Sequence, residues 1–294
     1  MADRRKRLPT NVAGSFYVDA TCINCDTCRQ LAPTSFREVG ENSAVVNQPQ
    51  GNDELYQAYQ ALLACPVGSI GAEHSDKARF QKALASFPLH LAHDVYYCGF
   101  NSEKSFGGNS YFVRHAAGNW LIDSPRYLRP LVEAFEAQGG IRHIFLTHQD
   151  DVADSALYAK HFGAARIIHR ADAAAAPDAE WIVEGDEPVT VSEPFRIIPV
   201  PGHTKGSMAL LYAEQFLFSG DHLWWDRDLK ELGTPQNLVW NKRLLLKSVA
   251  KLLDHRFEWV LPGHGDRIRL PAGEMKVHLE RLLERRRTAG VARG

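Results

Sequence analysis

Residues 22–28 read CINCDTC, three cysteines at C-x2-C-x2-C spacing, and a remote fourth, Cys65, stands directly before Pro66. Thiolates three apart on one tight loop can each reach a corner of an iron–sulfur cube, and a distant thiolate closes the remaining corner. A zinc ribbon instead pairs two C-x2-C halves, and a third cysteine so close would crowd a tetrahedral ion. Cys22, Cys25, Cys28 and Cys65 are therefore the expected ligands of an iron–sulfur cluster. The 4Fe–4S form is expected because a cysteine, Cys25, fills the middle position. Cys98 lies outside the pattern and reads as a small buried residue.

The arrangement resembles bacterial-type ferredoxins, with two losses. A two-cluster ferredoxin repeats C-x2-C-x2-C-x3-C-P, and the last cysteine of each run serves the other cluster. Here the first run ends in Ala32-Pro33, keeping the proline without the thiolate. Counting back from Cys65 by the same spacing lands on Leu55, Ala58 and Ala61, so the ligands of a second cluster are missing. Residues 53–64 instead have apolar positions three and four apart, the period of a helix. The resemblance implies a small single-cluster domain over residues 1–72, followed by a charged, helical connecting segment at 73–90.

At 294 residues, 45% of them apolar, the chain suits two domains with a substantial core. A formal net charge of −1 gives no general reason to expect a nucleic-acid or membrane-surface partner. The basic start, MADRRKRLPT, leads into no apolar stretch and reads as a solvated tail rather than a secretory signal. The arginine-rich end at Arg285, Arg286 and Arg287 reads as a wet helix face. No run reaches the length of a membrane span. Thiolates holding a cluster fit the reducing cytoplasm.

Beyond residue 90, short apolar strands are expected at Tyr111–Val113, Trp120–Ile122, Ile141–Thr147, Ala165–His169, Phe195–Val200, Ser207–Leu211, Phe216–Ser219 and Trp259–Leu261. Helices are expected at 127–137, 153–162, 240–254 and 273–287. Just past strand ends stand His148, His203 in PGHTKGS, Asp221 in SGDH and His264 in PGHG. Nitrogen and oxygen donors delivered by rigid elements into one cleft suit borderline metal ions.

This order of motifs resembles the metallo-β-lactamase superfamily over about residues 95–270, and its PGHT-x-G-S turn resembles the glyoxalase II-like branch most. The resemblance implies an α+β chain in which residues 91–294 form a four-layer αβ/βα sandwich with a one- or two-metal site. His203, Asp221 and His264 match the last three motifs, with Asp221 as bridging carboxylate, and Asp123 stands where a supporting aspartate is expected. The first motif, H-x-H-x-D-H, is altered: Asp150 occupies the second histidine position, and Val152 and Ala153 replace the D-H pair. A loop longer by two residues would let Asp154 supply the aspartate, with Ser155 in place of the histidine. The expected ligands are then His148, Asp150 and His203 for one ion and Asp154, Asp221 and His264 for the other, with Asp151 competing with Asp154. Around them, His222 is a candidate for either substrate contact or a structural role, Lys205 for substrate contact, and Trp224, Trp225 and Trp240 for pocket walls; His161 and His169 read as surface or packing residues.

One or two divalent ions (Zn, Fe or Mn) there would suit hydrolysis of an ester, thioester or lactone, with Asp150 or Asp154 moving the proton. That chemistry leaves the cluster structural or sensory. The alternative is redox: a carboxylate at position 150 tilts the site towards iron or manganese, as in the flavodiiron branch, and the cluster would supply electrons. A third reading is a non-catalytic electron carrier or redox-sensing adaptor. The expected partners are a small-molecule substrate and, for the redox readings, a redox partner protein.

Overall fold

The structure is a computed structural model that describes residues 2–74 and 76–291. Its contacts divide the chain into two compact units. One takes the chain as far as Arg142 together with Ala153–Ala164; the other takes His143–Val152 and the chain from Ala165 onward.

In the first unit, strand Phe16–Val18 pairs antiparallel with Ile70–Ala72, in register Tyr17 to Gly71. A hairpin, Phe36–Val39 with Asn42–Val45, and two helices, Thr27–Leu31 and Gly51–Ala64, fill the chain between them. Helix Gly51–Ala64 buries Ala58, Tyr59, Ala61, Leu63 and Ala64, the apolar stripe legible in the sequence. It stops where it does because Pro66 disfavours the helical region for the residue before it. Cys65 accordingly turns to φ −54°, ψ 120° and carries its thiol off the helix end. The basic start is not a free tail: Arg4 and Arg7 both pair with Glu73 at 3.1 Å, and Leu8 N–H donates to the Val18 carbonyl. Residues 73–90 contain helix Lys77–Leu84, and the chain then enters strand Leu89–Ala92. Strands Leu89–Ala92, Val95–Tyr97, Tyr111–Val113 and Trp120–Ile122 form an antiparallel meander. Helix Arg129–Ala137 packs on this meander by stacking Phe135 on Phe112 at 4.8 Å, and helix Ser155–Phe162 completes the unit.

The second unit holds three short parallel strands, His143–Phe145, Ala165–His169 and Trp181–Val183, and a six-stranded sheet. The sheet runs Val189–Ser192, Phe195–Pro199, Met208–Tyr212, Phe216–Gly220, Trp259–Pro262, Ile268–Arg269. All neighbours are antiparallel except Phe216–Gly220 with Trp259–Pro262, and helix Lys242–Lys251 lies in the connection between that parallel pair. Leu211, Leu217 and Val260 join Val249, Leu279 and Leu282 of helices Lys242–Lys251 and Ala272–Val291 in one cluster. The alternate residues Leu210, Phe218 and Leu261 are just as buried, so the sheet is covered on both faces. Such strands read as continuous apolar runs, which made them legible. The strands that sequence reading missed, such as Val189–Ser192 and Trp224–Asp226, are short and half-buried, and they lack that signal. The C-terminal arginines are more than a wet face: Arg285 and Arg286 donate to the Leu232 and Thr234 carbonyls at 2.8 Å.

Phe135 is fully buried in its stack. Phe135→Ala should lower stability to urea by about 3–5 kcal/mol, the usual cost of emptying a buried aromatic site. Leu238→Ala, at a residue 90% exposed, should stay within about 0.5 kcal/mol of the parent.

Candidate metal centres

The second unit brings five ring and carboxylate groups together at or just past strand ends. His148 follows strand His143–Phe145 and caps the turn Gln149–Asp151; it is 1% exposed. Its Nδ1 meets Thr147 Oγ1 at 2.9 Å, which turns Nε2 inward. That Nε2 lies 3.7 Å from Asp150 Oδ2 and 3.6 Å from Asp221 Oδ2. His203 stands edge-to-face with His148, ring centroids 4.9 Å apart, and its Nε2 lies 3.5 Å from Asp150 Oδ2 and 3.7 Å from Asp221 Oδ2. His264 Nε2 is 3.8 Å from the same Asp221 oxygen. Asp221 therefore faces three imidazoles.

Buried polar atoms are nearly always hydrogen-bonded. Here His148 Nε2, both nitrogens of His203 and Asp221 Oδ1 are buried without a hydrogen-bond partner. His148 Nε2, His203 and Asp221 offer donor atoms within 4.8 Å of one another. Donors bonded at about 2.1 Å around a tetrahedral ion sit roughly 3.4 Å apart, close to the separations seen. Imidazole and carboxylate donors suit zinc, iron or manganese. The residues fit a metal ion.

The electrostatics agree. Burial pushes the His148 pKa below its ordinary value, although Asp221 opposes this. Burial likewise works against a charged His203, but Asp150 and Asp221 outweigh it and hold the pKa above the usual imidazole value. His203 holds the Asp150 carboxyl below the usual range. Burial would raise Asp221, but His264, His148 and His203 together keep it below.

Two expectations change. Asp154 is committed elsewhere: its carboxylate accepts from Lys104 Nζ at 2.6 Å and from Tyr127 N–H at 2.9 Å. Asp151 is buried and comes close to Asp221; a Cβ placed on Gly263 would touch Asp221 Oδ1 at 2.5 Å and Asp151 Oδ2 at 2.9 Å. Only a glycine lets the backbone pass these two carboxylates, and of the two competing aspartates it is Asp151 that lies on the Asp221 side. His222 does not face a cleft. It is 1% exposed, and burial lowers its pKa to about 3, leaving it neutral. Lys205 sits over the Trp240 ring at 5.5 Å, and Trp240 N–H donates to the His203 carbonyl. Asp123, in the first unit, is buried with a left-handed backbone.

Sequence reading overlooked Asp172, which is 2% exposed. It accepts from Gln149 N–H at 3.1 Å, from Thr204 Oγ1 at 2.5 Å and from Gly206 N–H at 2.9 Å. One buried carboxylate thus ties the residue after His148 to the residue after His203. Its only signal in the sequence is an aspartate within RADAAAA.

In the first unit, Cys22, Cys25, Cys28 and Cys65 line one cavity with Val18 and Ile70. Asn24 and Asp26 take left-handed backbone at φ 57° and 69°, which short polar side chains tolerate. Arg29 locks the loop by donating to Asn24, Asp26 and Ser43. Asn24 N–H donates to Cys22 Sγ at 3.4 Å, and the Thr27 and Ser69 hydroxyls lie 3.4 Å from the Cys25 and Cys65 sulfurs. Gly107 leans on this loop, where a Cβ would fall 2.6 Å from Cys25 Cβ. Asn101 donates to the Gly107 carbonyl at 2.7 Å and to Thr27 Oγ1 at 3.1 Å. Burial pushes the Cys25 thiol up to about 11 and the Cys28 thiol higher still. Thiols so placed lose their protons only to a strongly cationic group.

Comparison with known proteins matches these regions separately. Residues 18–72 match the family described as the 4Fe-4S single cluster domain of Ferredoxin I. Hydroxyacylglutathione hydrolase of Acidiphilium cryptum (strain JF-5) is 30% identical over 118 residues, 39% of this chain and 48% of that one. Hydroxyacylglutathione hydrolase of Fuscovulum blasticum is 33% identical over 123 residues, again 39% and 48%. The chain spans about half the length of these curated relatives. Among solved structures, the BLEG-1 B3 metallo-β-lactamase aligns with a TM-score of 0.50 at 19% identity, covering 64% of this chain and 99% of that one. DIM-1 metallo-β-lactamase aligns with a TM-score of 0.50 at 14% identity, covering 66% and 95%. A single-cluster ferredoxin-like domain is thus joined to a metallo-β-lactamase fold, a mixed α and β architecture. Among the described residues, no helix is long and apolar enough to cross a membrane.

Asp172→Asn would place a donor where two acceptor sites are needed. Chelator competition should show zinc held more weakly, because the turns that carry His148 and His203 lose the carboxylate that ties them together.

Proposed function

We propose that the chain is a metal-dependent hydrolase of an ester, thioester or lactone, with a 4Fe–4S cluster in its N-terminal domain. The observation that carries the reading is the convergence of His148 Nε2, His203 Nε2 and Asp221, with both imidazole nitrogens buried and without hydrogen-bond partners. His148, Asp150 and His203 would hold one ion; Asp151 and His264, with Asp221 between, would hold a second. A divalent ion there supplies an acidified water and a polarised carbonyl oxygen. Asp150, partly exposed and kept ionised beside His203, is placed to take the proton of the attacking water and pass it to the leaving group. Lys205 and Trp240 border the His203 turn and offer an incoming anionic substrate a cation and an aromatic face. The likeness to hydroxyacylglutathione hydrolases supports a thioester first.

S-lactoylglutathione should be hydrolysed in air by protein loaded with zinc or manganese, and chelation should stop turnover until metal is restored. His148→Ala and His203→Ala should each lose the bound ion. Asp150→Asn, at a residue that would both hold the ion and move the proton, should weaken ion binding and, at saturating metal, still lower kcat by about 10²–10⁴. Turnover that survives chelation, or none on any thioester, ester or lactone, would sink the reading.

Redox chemistry is the second reading, favoured by the Asp150 carboxylate among the histidines and by the cysteine cavity in the same chain. It requires iron beyond one cube per chain and turnover dependent on an electron donor, supplied by a redox partner protein.

Cys22, Cys25, Cys28 and Cys65 would be the cluster ligands. Anaerobically purified protein should contain about four iron and four sulfide per chain for this cluster. Cys65→Ser should lose most of both, whereas Cys98→Ser, at a buried thiol outside that cavity, should keep them.

A further inference from the structure

We propose that Arg126 raises the reduction potential of the cluster by fixing a positive charge beside Cys65. Its backbone is held on both sides: the Arg126 N–H donates to the Phe100 carbonyl at 2.9 Å, and Tyr158 OH donates to the Arg126 carbonyl at 2.8 Å. From this anchor the side chain reaches the end of helix Gly51–Ala64, where Nη2 donates to the Leu63 and Cys65 carbonyls, both at 3.1 Å. Nε is buried and has no hydrogen-bond partner.

A helix C-terminus needs donors for its last carbonyls, and a neutral amide would suffice for that. The guanidinium brings more than a donor. It forms no ion pair among the described residues, whereas the charges around it are matched. Arg29, the other guanidinium at the cysteine loop, pairs with Asp26 at 2.5 Å, and Asp154 is taken by Lys104 at 2.6 Å. Arg126 is thus the uncompensated cation next to a cluster thiolate. Burial lowers its pKa from the usual guanidinium value, with Cys65 and Asp154 partly opposing that fall.

A cluster with its four thiolates is anionic, and reduction adds one more negative charge. A fixed, partly buried cation favours the more negative state and makes reduction easier. The inference rests on the cluster reading, which iron and sulfide analysis of the parent protein tests separately.

The experiment is a redox titration of the full chain, purified without air and followed by electron paramagnetic resonance of the reduced cluster. Arg126→Gln keeps a donor for the helix end and removes the charge; Arg126→Lys keeps the charge. At a given potential the Gln variant should show a tenfold lower ratio of reduced to oxidised cluster, about 59 mV more negative for a one-electron couple. The Lys variant should stay within about threefold of the parent, or roughly 30 mV. A Gln variant with a full cluster and an unchanged midpoint overturns the proposal and leaves Arg126 a helix cap. Cluster loss from the Gln variant, with or without loss from the Lys variant, overturns the proposal in favour of a structural role.

Discussion

A single carboxylate oxygen, Asp221 Oδ2, faces three imidazole nitrogens at 3.6–3.8 Å, and much of the second unit serves to hold them there. At that spacing His148 Nε2 and His203 Nε2 are too far from the carboxylate to be satisfied by it, and both are buried without a hydrogen-bond partner. Their cost is tolerable only because each rides on a stiff support. Asp221 and His264 follow two adjacent parallel strands, Phe216–Gly220 and Trp259–Pro262, covered on both faces. His148 and His203 stand on turns that Asp172 laces together. A preorganised set of donors with unmet bonding capacity is what a metal ion exploits.

The cysteine cavity follows the same logic with softer donors. Burial works against thiolates at Cys25 and Cys28, so an iron–sulfur group must supply the charge that water does not. Pro66 ends the preceding helix at Cys65, and left-handed turns at Asn24 and Asp26 curl the three-cysteine loop. Gly107 and Asn101 then brace that loop from later in the chain. Because the cysteine segment shares one compact unit with the meander strands, it does not hang from a linker at residues 73–90.

Legibility differed by type of feature. Doubly buried strands such as Met208–Tyr212 and Phe216–Gly220 were readable because each carries an unbroken run of buried apolar residues. Short, half-buried strands such as Trp224–Asp226 were not, since three residues of like burial carry no period. His148, His203, Asp221 and His264 stood out because turn glycines and strand ends flank them. Asp154 misled because counting along an altered loop cannot show which carboxylate is already engaged, and Lys104 claims it.

From its sequence alone the chain declares which donor types it owns and in what order: thiols clustered early, imidazoles and carboxylates after later strands. Those are local facts of spacing and periodicity. Folding alone decided that Asp151 rather than Asp154 approaches Asp221, that Asp172 braces two histidine turns, and that Arg126 lies against Cys65. Such pairings join residues far apart in the chain or separate near neighbours, and they depend on where packed strands and helices place their ends in space.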